Sequence, residues 1–379
     1  MADDRAIEAA HDLPRVRFTK GRLLAFLVVA VSVALFLYFV LPKLLGLQQT
    51  WNRVARGDPW WLGLAAVLEV LSFACYVVLF RAVFTSPSAR VPGAARIGRR
   101  ESYQITMASL AATRLFAAAG AGGIALTAWA LRRAGLGPRA VAARMLAFLT
   151  LLYGVYMATF VVTGVGLYTG AFPGSGPFAI TIGPAILGGV VIVLFLAVAS
   201  LPAGFEASVT RWTTAERWLG RTARWVAALS ATAATGVRTA LDLVRSRNPA
   251  LLGAVGWWAF DIAVLWACFH AFGSAPPEAV IVLAYFVGML GNTLPLPGGI
   301  GGVDGGMIGA FTAFGVNVEA SVVAVLAYRA FAFWLPTIPG TVAYFQLRRT
   351  VHRWRTPRSP TAVAPPELPG ACGELPRYT

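Results

Sequence analysis

Six long apolar segments limit what this chain can fold into more than any other feature of its sequence. Each approaches or exceeds the roughly twenty residues that a helix needs to cross the hydrocarbon core of a bilayer. They are residues 23–41, 60–84, 141–168, 178–201, 251–272 and 318–345. Only 13% of the residues are charged, whereas a soluble domain has about a quarter. The sequence therefore predicts an all-α, polytopic membrane bundle.

Two further segments are apolar but interrupted. Residues 102–130 are rich in Ala and Gly and break at 117–123, and Glu278–Gly315 contains the run GNTLPLPGGIGGVDGG from Gly291 onward. Proline removes a backbone donor and glycine weakens a helix, so no straight helix is expected across Pro295–Gly302. In lipid, broken backbone survives only where protein or a water-filled cavity satisfies its polar groups. We therefore predict discontinuous segments that line a cavity.

The distribution of basic residues predicts the topology. Cytoplasmic loops of membrane proteins carry an excess of Lys and Arg, and the basic regions here are 1–22, 85–101, 131–140, 203–249 and 348–379. Loops 169–177 and 273–277 are uncharged and are expected outside. The prediction is a multi-pass protein of the cell membrane with six full spans, both termini cytoplasmic, and two opposed re-entrant hairpins. The alternative of eight full spans would place one basic flank of the first hairpin outside.

Three regions follow from this topology. Residues 1–22 form a cytoplasmic N-terminal segment, 23–347 the transmembrane domain, and 348–379 a basic, Pro-rich tail expected to be disordered. Within the transmembrane domain, 203–249 is a polar loop in which Arg217, Arg221 and Arg224 share one helical face. That pattern is typical of a helix lying at the membrane surface.

An internal repeat relates the two interrupted segments. At an offset of 180 residues, Gly122 aligns with Gly302 and Gly135 with Gly315. The predicted topology of the two units is opposite in direction. We therefore predict an inverted repeat, a design found in many secondary transporters whose substrate sites lie near the midplane.

One motif resembles a known family. The run PGGIGGVD at 297–304, followed by Gly315 and by Arg329 in the next helix, is similar to the signature of the lysylphosphatidylglycerol synthase transmembrane-region family, also called flippase-like. The family's acid is usually Glu where this chain has Asp304, and the residue before it is often Arg where this chain has Val303. The resemblance covers about residues 20–350. It implies lipid chemistry at the membrane, without the soluble aminoacyl-transfer domain that full-length synthases append, because only 348–379 follow the last span.

Ionisable groups inside a membrane are costly and mark functional sites by default. Glu69, Arg114, Asp261, Asp304 and Arg329 all fall at membrane depth. The predicted substrate site uses the planar guanidinium groups for phosphate, the carboxylates for cationic parts of a headgroup or for coupling protons, and flexible glycine backbone. Its residues are Arg114, Arg329, Asp304, Asp261, Gly298, Gly299, Gly301 and Gly302. The alternative role for Asp304 is a local ion pair or helix cap, and for Glu69 a side chain that reaches the interface.

These observations predict a protein that translocates an anionic lipid or lipid-linked headgroup, such as a phospholipid or a polyprenyl-phosphate carrier. No enzyme, cofactor, metal or nucleic-acid partner is expected: three cysteines and three histidines are scattered, and the net charge of +16 comes from arginines in short loops. A membrane scaffold or regulator and an integral-membrane, lipid-linked transferase are the alternatives. The sequence also lacks the G-x-x-x-x-G-K-[ST] loop of an ATP-driven pump.

Overall fold

The computed structural model of the protein describes residues 57–85, 97–115, 121–200, 219–273, 275–294 and 299–355. Within these ranges all regular secondary structure is helical. The helices are α1 (Pro59–Phe84), α2 (Arg99–Leu115), α3 (Ala121–Arg133), α4 (Pro138–Tyr168), α5 (Phe178–Ser200), α6 (Leu219–Arg245), α7 (Gly253–Phe272), α8 (Glu278–Met289), α9 (Gly302–Ala313), α10 (Val318–Arg329) and α11 (Leu335–Arg355). A 3-10 turn (Pro249–Leu252) precedes α7, another (Leu290–Thr293) follows α8, and a π-helical turn (Ala330–Trp334) joins α10 to α11.

Five helical segments are long and apolar enough to cross a membrane. They are Pro59–Phe84, Pro138–Tyr168, Phe178–Ser200, Pro249–Phe272 and Val318–Trp354. They confirm five of the six predicted spans, and the sixth, at 23–41, lies outside the described residues. The chain is thus a polytopic helical membrane protein.

The first interrupted segment forms a hairpin of two short helices, α2 and α3, which we call hairpin A. The Ser109 and Thr127 hydroxyls hydrogen-bond across it at 2.7 Å. Gly123 lies directly against the Ser109 backbone, so its missing side chain lets the helices approach closely. Ala121–Gly123, predicted to belong to the break, instead form the first turn of α3. The remainder of the predicted break, 117–120, is outside the described residues.

The second interrupted segment forms hairpin B, made of α8 and α9. Two glycine pairs allow its segments to approach closely: Gly288 of α8 lies against Gly306 of α9, and Gly291 of the following 3-10 turn lies against Gly302. Neither helix exceeds 12 residues, about 18 Å of helix, which is too short to span the hydrocarbon core. Because each interrupted segment folds as two short packed helices rather than one span, the alternative of eight full spans is wrong.

The hairpins pack on opposite halves of the last span. In hairpin A, Gln104 receives a hydrogen bond of 2.9 Å from Thr350, and Met107 lies beside Gly340. Helix α2 therefore runs antiparallel to α11. In hairpin B, α9 packs along α10, and its first turn reaches Arg329. The two hairpins enter from opposite ends, and Arg114 near the end of α2 and Asp304 near the start of α9 both interact with Arg329, next to the π-helical turn.

The predicted repeat is visible in backbone geometry. Gly135 and Gly315, 180 residues apart, both adopt left-handed φ angles of 97° and 77°. The helices that follow them begin at Pro138 and Val318, at the same offset. The two turns make matching bonds, Leu136 N to Leu131 O at 3.2 Å and Val316 N to Phe311 O at 3.0 Å. The same 6-to-1 helix-end closure at the same offset supports the predicted repeat.

The two ends of the bundle differ in charge. At one end, Asp58 N bonds to Ala271 O at 3.0 Å, and the loop 170–177 lies against α8 and Phe314. We call this the acidic end, because its described residues carry Asp58, Glu278 and Glu319 but neither Lys nor Arg. The opposite, basic end holds exposed arginines at 99, 100, 132, 133, 139, 245, 247, 348, 349 and 353.

Helix α6 lies within the polar loop 203–249 and packs at the basic end, where Gly236 contacts Leu146 of α4. Arg217 and the side chains of Arg221 and Arg224 are outside the described residues, so their shared face stays a prediction.

The predicted start of the tail at 348 needs correction, because α11 continues to Arg355. Leu347, Thr350 and Val351 are buried there. The Thr350 hydroxyl also bonds to Gln104 of α2, so packing against α2 keeps this basic stretch helical.

Candidate functional site

Three of the intramembrane charges lie at one level. Glu69 is ten residues from the start of α1, and Asp261 and Arg329 are each eleven residues from the helix ends of α7 and α10 at the acidic end. At 1.5 Å per residue this places them about 15–17 Å from that end, close to the middle of a bilayer core of about 30 Å. Arg114, in the last turn of α2, interacts electrostatically with Arg329, and Asp304, in the first turn of α9, is bonded to it, so both lie near this level.

Asp304 joins hairpin B to the last span. One carboxylate oxygen, Oδ1, lies 2.6 Å from Nε of Arg329, and the two side chains are only 14% and 10% exposed. The other, Oδ2, accepts the backbone N–H of Gly301 at 3.0 Å and so caps the start of α9. The ion pair and the cap foreseen as the alternative role of Asp304 are both present. The shorter side chain, where the family usually has Glu, still reaches its arginine.

Asp261 is held by two tyrosines. The hydroxyl of Tyr328 on α10 donates to its Oδ2 at 3.0 Å, and the hydroxyl of Tyr285 on α8 donates to the same oxygen. All three side chains are buried, with Tyr285 at 0% exposure. Asp261 therefore ties α7 to hairpin B and to the last span.

Glu69 and Arg114 complete the cluster. Glu69 is 0% exposed, so it does not reach the interface as the sequence alternative supposed. Its carboxyl interacts electrostatically with Asp261 and Arg114, and Arg114 interacts in turn with Arg329. The Arg114 guanidinium lies 5.6 Å from the ring centre of Phe73. Its Nη1 atom is buried without a hydrogen-bond partner among the described residues.

The glycine-rich tip of hairpin B lies beside this cluster. Gly299 and Gly301 adopt φ angles of 67° and 83°, which residues with a side chain rarely adopt. Gly301 and Asn292 are exposed, so polar backbone and side-chain groups are accessible at mid-membrane depth. Pro295–Gly298 are outside the described residues, and with them the predicted site residue Gly298.

The structure thus brings the four predicted charged residues into one cluster. Arg114 interacts electrostatically with both Asp261 and Arg329, and Asp304 is bonded to Arg329. Sequence reasoning missed Tyr285 and Tyr328 and left Glu69 out of the site. The available signal was chemical, since a tyrosine hydroxyl in an apolar helix needs a hydrogen-bond partner when buried.

Comparison with known proteins agrees with this architecture. The model of the family described as the lysylphosphatidylglycerol synthase TM region matches residues 23–340. Two similar proteins are UPF0104 membrane proteins of Methanothermobacter thermautotrophicus. One is 24% identical over 348 residues, covering 86% of this chain and 94% of that protein. The other is 34% identical over 91 residues, so the chain matches only 26% of that relative's length. The family match spans most of the chain, and the protein therefore belongs to the lysylphosphatidylglycerol synthase TM-region family.

Proposed function

We propose that this protein translocates an anionic lipid or lipid-linked headgroup across the bilayer, past the cluster of charged residues at mid-membrane depth. The observation that carries the proposal is the pair of guanidinium groups, Arg114 and Arg329, at mid-membrane depth. Arginine offers a planar fork of donors that matches a phosphate. The buried Nη1 of Arg114, without a partner among the described residues, is a donor for such a ligand.

The backbone of hairpin B supports the same ligand chemistry. Helix α9 begins inside the bundle, at Gly302, and the N-terminus of a helix favours anions through its unpaired N–H groups and its dipole. Gly301 is exposed there, so a headgroup can approach the main chain closely. In this proposal Gly299, Gly301 and Gly302 line the path of the headgroup while the acyl chains stay in lipid, and Gly298, outside the described residues, stays a predicted site residue.

The opposed hairpins support a transport role. A midplane site at the interface of inverted repeats, built from broken helices, is the usual arrangement in secondary transporters. Asp304 links the tip of hairpin B to Arg329, so a phosphate that competes for Arg329 would loosen one hairpin from the last span. Through this competition, headgroup binding would change which side of the membrane the site faces.

The charge difference between the ends supports an orientation. With the basic end in the cytoplasm, the positive-inside rule is satisfied by all ten exposed arginines of that end. Both termini are then cytoplasmic and the acidic end faces outward. In this proposal the protein is a plasma-membrane transporter rather than an enzyme, and its partners are anionic phospholipids or polyprenyl-phosphate-linked lipids.

The test is a headgroup-resolved translocation assay in vesicles. The protein is reconstituted with trace lipids that carry a fluorescent reporter: phosphatidylglycerol, a polyprenyl phosphate or, as a zwitterionic comparison, phosphatidylcholine. A membrane-impermeant quencher then reports the fraction of label in the outer leaflet over time. We expect protein-dependent movement of an anionic lipid.

Arg329→Ala should abolish that movement, whereas Arg349→Ala, at an exposed arginine of the basic end, should leave it unchanged. Arg329→Lys separates charge from geometry and should retain only part of the rate. Unchanged movement in Arg329→Ala would refute the role of the guanidinium. A wild-type protein that moves no lipid would favour the scaffold alternative, and turnover of a lipid-linked substrate would favour the transferase.

A further inference from the structure

Glu69 is the one carboxylate of the cluster whose oxygens have no hydrogen-bond partner among the described residues. Asp304 has Arg329 and the Gly301 N–H, and Asp261 has two tyrosine hydroxyls. Leaving a fully buried polar atom without a hydrogen bond is unfavourable, and more so if the atom is charged. The two Glu69 oxygens therefore indicate that a hydrogen-bond partner is missing.

The surroundings of Glu69 identify that partner as a proton. The Glu69 carboxyl lies within electrostatic reach of the Asp261 carboxylate. Two ionised carboxylates cannot hydrogen-bond, because neither has a donor. One proton on Glu69 supplies the donor, satisfies its buried oxygen and removes the repulsion between neighbouring like charges.

The formal charges of the cluster also indicate one bound proton. Glu69, Asp261 and Asp304 carry three negative charges against two positive charges on Arg114 and Arg329. A net charge at mid-membrane depth is costly, and one bound proton makes the cluster neutral. The other titratable groups that face Glu69 are Cys268 of α7 and Tyr328 of α10, and neither adds a positive charge.

We propose that Glu69 is the proton-binding residue of the site, and that one proton travels with each anionic headgroup. This inference rests on the proposed function. Glu69 already needs this proton without a headgroup, and a phosphate between Arg114 and Arg329 would hold the proton more tightly, because a nearby negative charge favours the protonated carboxyl. The proton adds to a Glu69 carboxylate oxygen from the aqueous phase on one side, and the same O–H bond breaks toward the other side. Headgroup and proton therefore move together, from the more acidic to the more alkaline compartment.

A metal ion suits the position less well. Among the described residues no group of three or more His, Cys, Asp or Glu side chains is arranged to hold one. Na⁺ would also need several oxygen ligands, whereas a proton needs one acceptor. A sodium gradient at uniform pH is therefore the discriminating control.

The test imposes a pH gradient on the translocation vesicles and measures the steady-state leaflet distribution of the labelled anionic lipid. At one proton per headgroup, one pH unit supports up to about a tenfold asymmetry, since a pH unit is a factor of ten in proton activity. Glu69→Gln should bring the ratio to about one, because Gln keeps the shape but binds no proton. Glu278→Gln, at an exposed position of the acidic end, should keep the asymmetry.

A second readout keeps the inference independent of transport. Infrared difference spectra of the reconstituted protein should show the C=O stretch of a protonated carboxylic acid that disappears in Glu69→Gln and persists in Glu278→Gln. If that band is absent from the wild type, or persists in Glu69→Gln, the inference is overturned. Wild-type lipid movement that ignores a pH gradient, or that follows a sodium gradient, overturns it while leaving the proposed function intact. No lipid movement at all overturns the proposed function and the coupling, and the infrared band then reports only whether Glu69 holds a proton.

Discussion

The ion pair between Asp304 and Arg329 predicts a large stability effect that can be separated from helix capping. The informative change is Asp304→Asn. An Asn side chain can still accept the Gly301 N–H, because its carbonyl oxygen replaces the carboxylate oxygen that caps α9. The same change removes the charge that lies 2.6 Å from Nε of Arg329.

The expected loss of stability in Asp304→Asn follows from the burial of the ion pair. The two side chains are 10% and 14% exposed, so solvent screens the pair little. Breaking a buried ion pair by removing one partner costs about 3–5 kcal/mol, because the other charge is left uncompensated. We expect Asp304→Asn to lose about that much, and Asp304→Ala to lose about 1 kcal/mol more through the missing cap.

The measurement is reversible unfolding of the purified protein in detergent micelles, with Glu278→Gln as the surface control expected to lie within about 0.5 kcal/mol of wild type. The double variant Asp304→Asn with Arg329→Met removes both charges and should recover much of the loss, since neither partner is then buried alone. A loss of less than about 1 kcal/mol in Asp304→Asn would refute the reasoning, because the pair would then not hold hairpin B to the last span.

Three further predictions concern the hairpin contacts, the tyrosine shell and the orientation. Gly291→Ala places a methyl group against the Gly302 backbone. It should lower the free energy of unfolding by about 1–3 kcal/mol in the same assay. The control is Gly305→Ala, which has open space around its Cβ and should be neutral or slightly stabilising. Tyr285→Phe removes a buried donor and leaves an acceptor short of one bond, so it should cost about 1–3 kcal/mol; equal stability would mean that the bond is absent. In intact cells, a membrane-impermeant thiol reagent should label Glu278→Cys but not Arg349→Cys, and the reverse pattern would invert the proposed orientation.

Much of the fold could be predicted from the sequence. Spans such as 60–84 and 141–168 were found within a few residues, because apolar length alone decides whether a helix can cross a bilayer. The hairpins were also predictable, since Gly and Pro runs such as 295–302 break helices and basic flanks restrict which side a loop occupies. The tail boundary at 348 was wrong, because burial of Leu347 and Val351 against α2 is a tertiary contact that a basic, polar stretch does not reveal.

The site was predictable only in part. Arg114, Asp261, Asp304 and Arg329 were identified because a charge at membrane depth is costly wherever the chain places it. Their partners were not, because the sequence does not show which charges on different helices face each other. The repeat did not help, because the offset of 180 residues places Leu294 opposite Arg114 and Ile124 opposite Asp304. The glycine turns repeat at this offset, whereas the charges of Arg114 and Asp304 do not.

The sequence by itself therefore determined the helical membrane class, the spans, the two broken segments and the charged residues that lie at membrane depth. These depend on local properties, namely the hydrophobicity of each segment, the conformational limits of Gly and Pro, and the cost of a charge in lipid. Only the tertiary structure decided which charge meets which partner: Asp304 bonds to Arg329 and Asp261 to two tyrosines, whereas Glu69 lies near Asp261 and Arg114 without a hydrogen-bond partner among the described residues. The physical reason is that an ion pair or a hydrogen bond depends on distances of a few ångströms between helices far apart in sequence, and periodicity within one helix does not specify them.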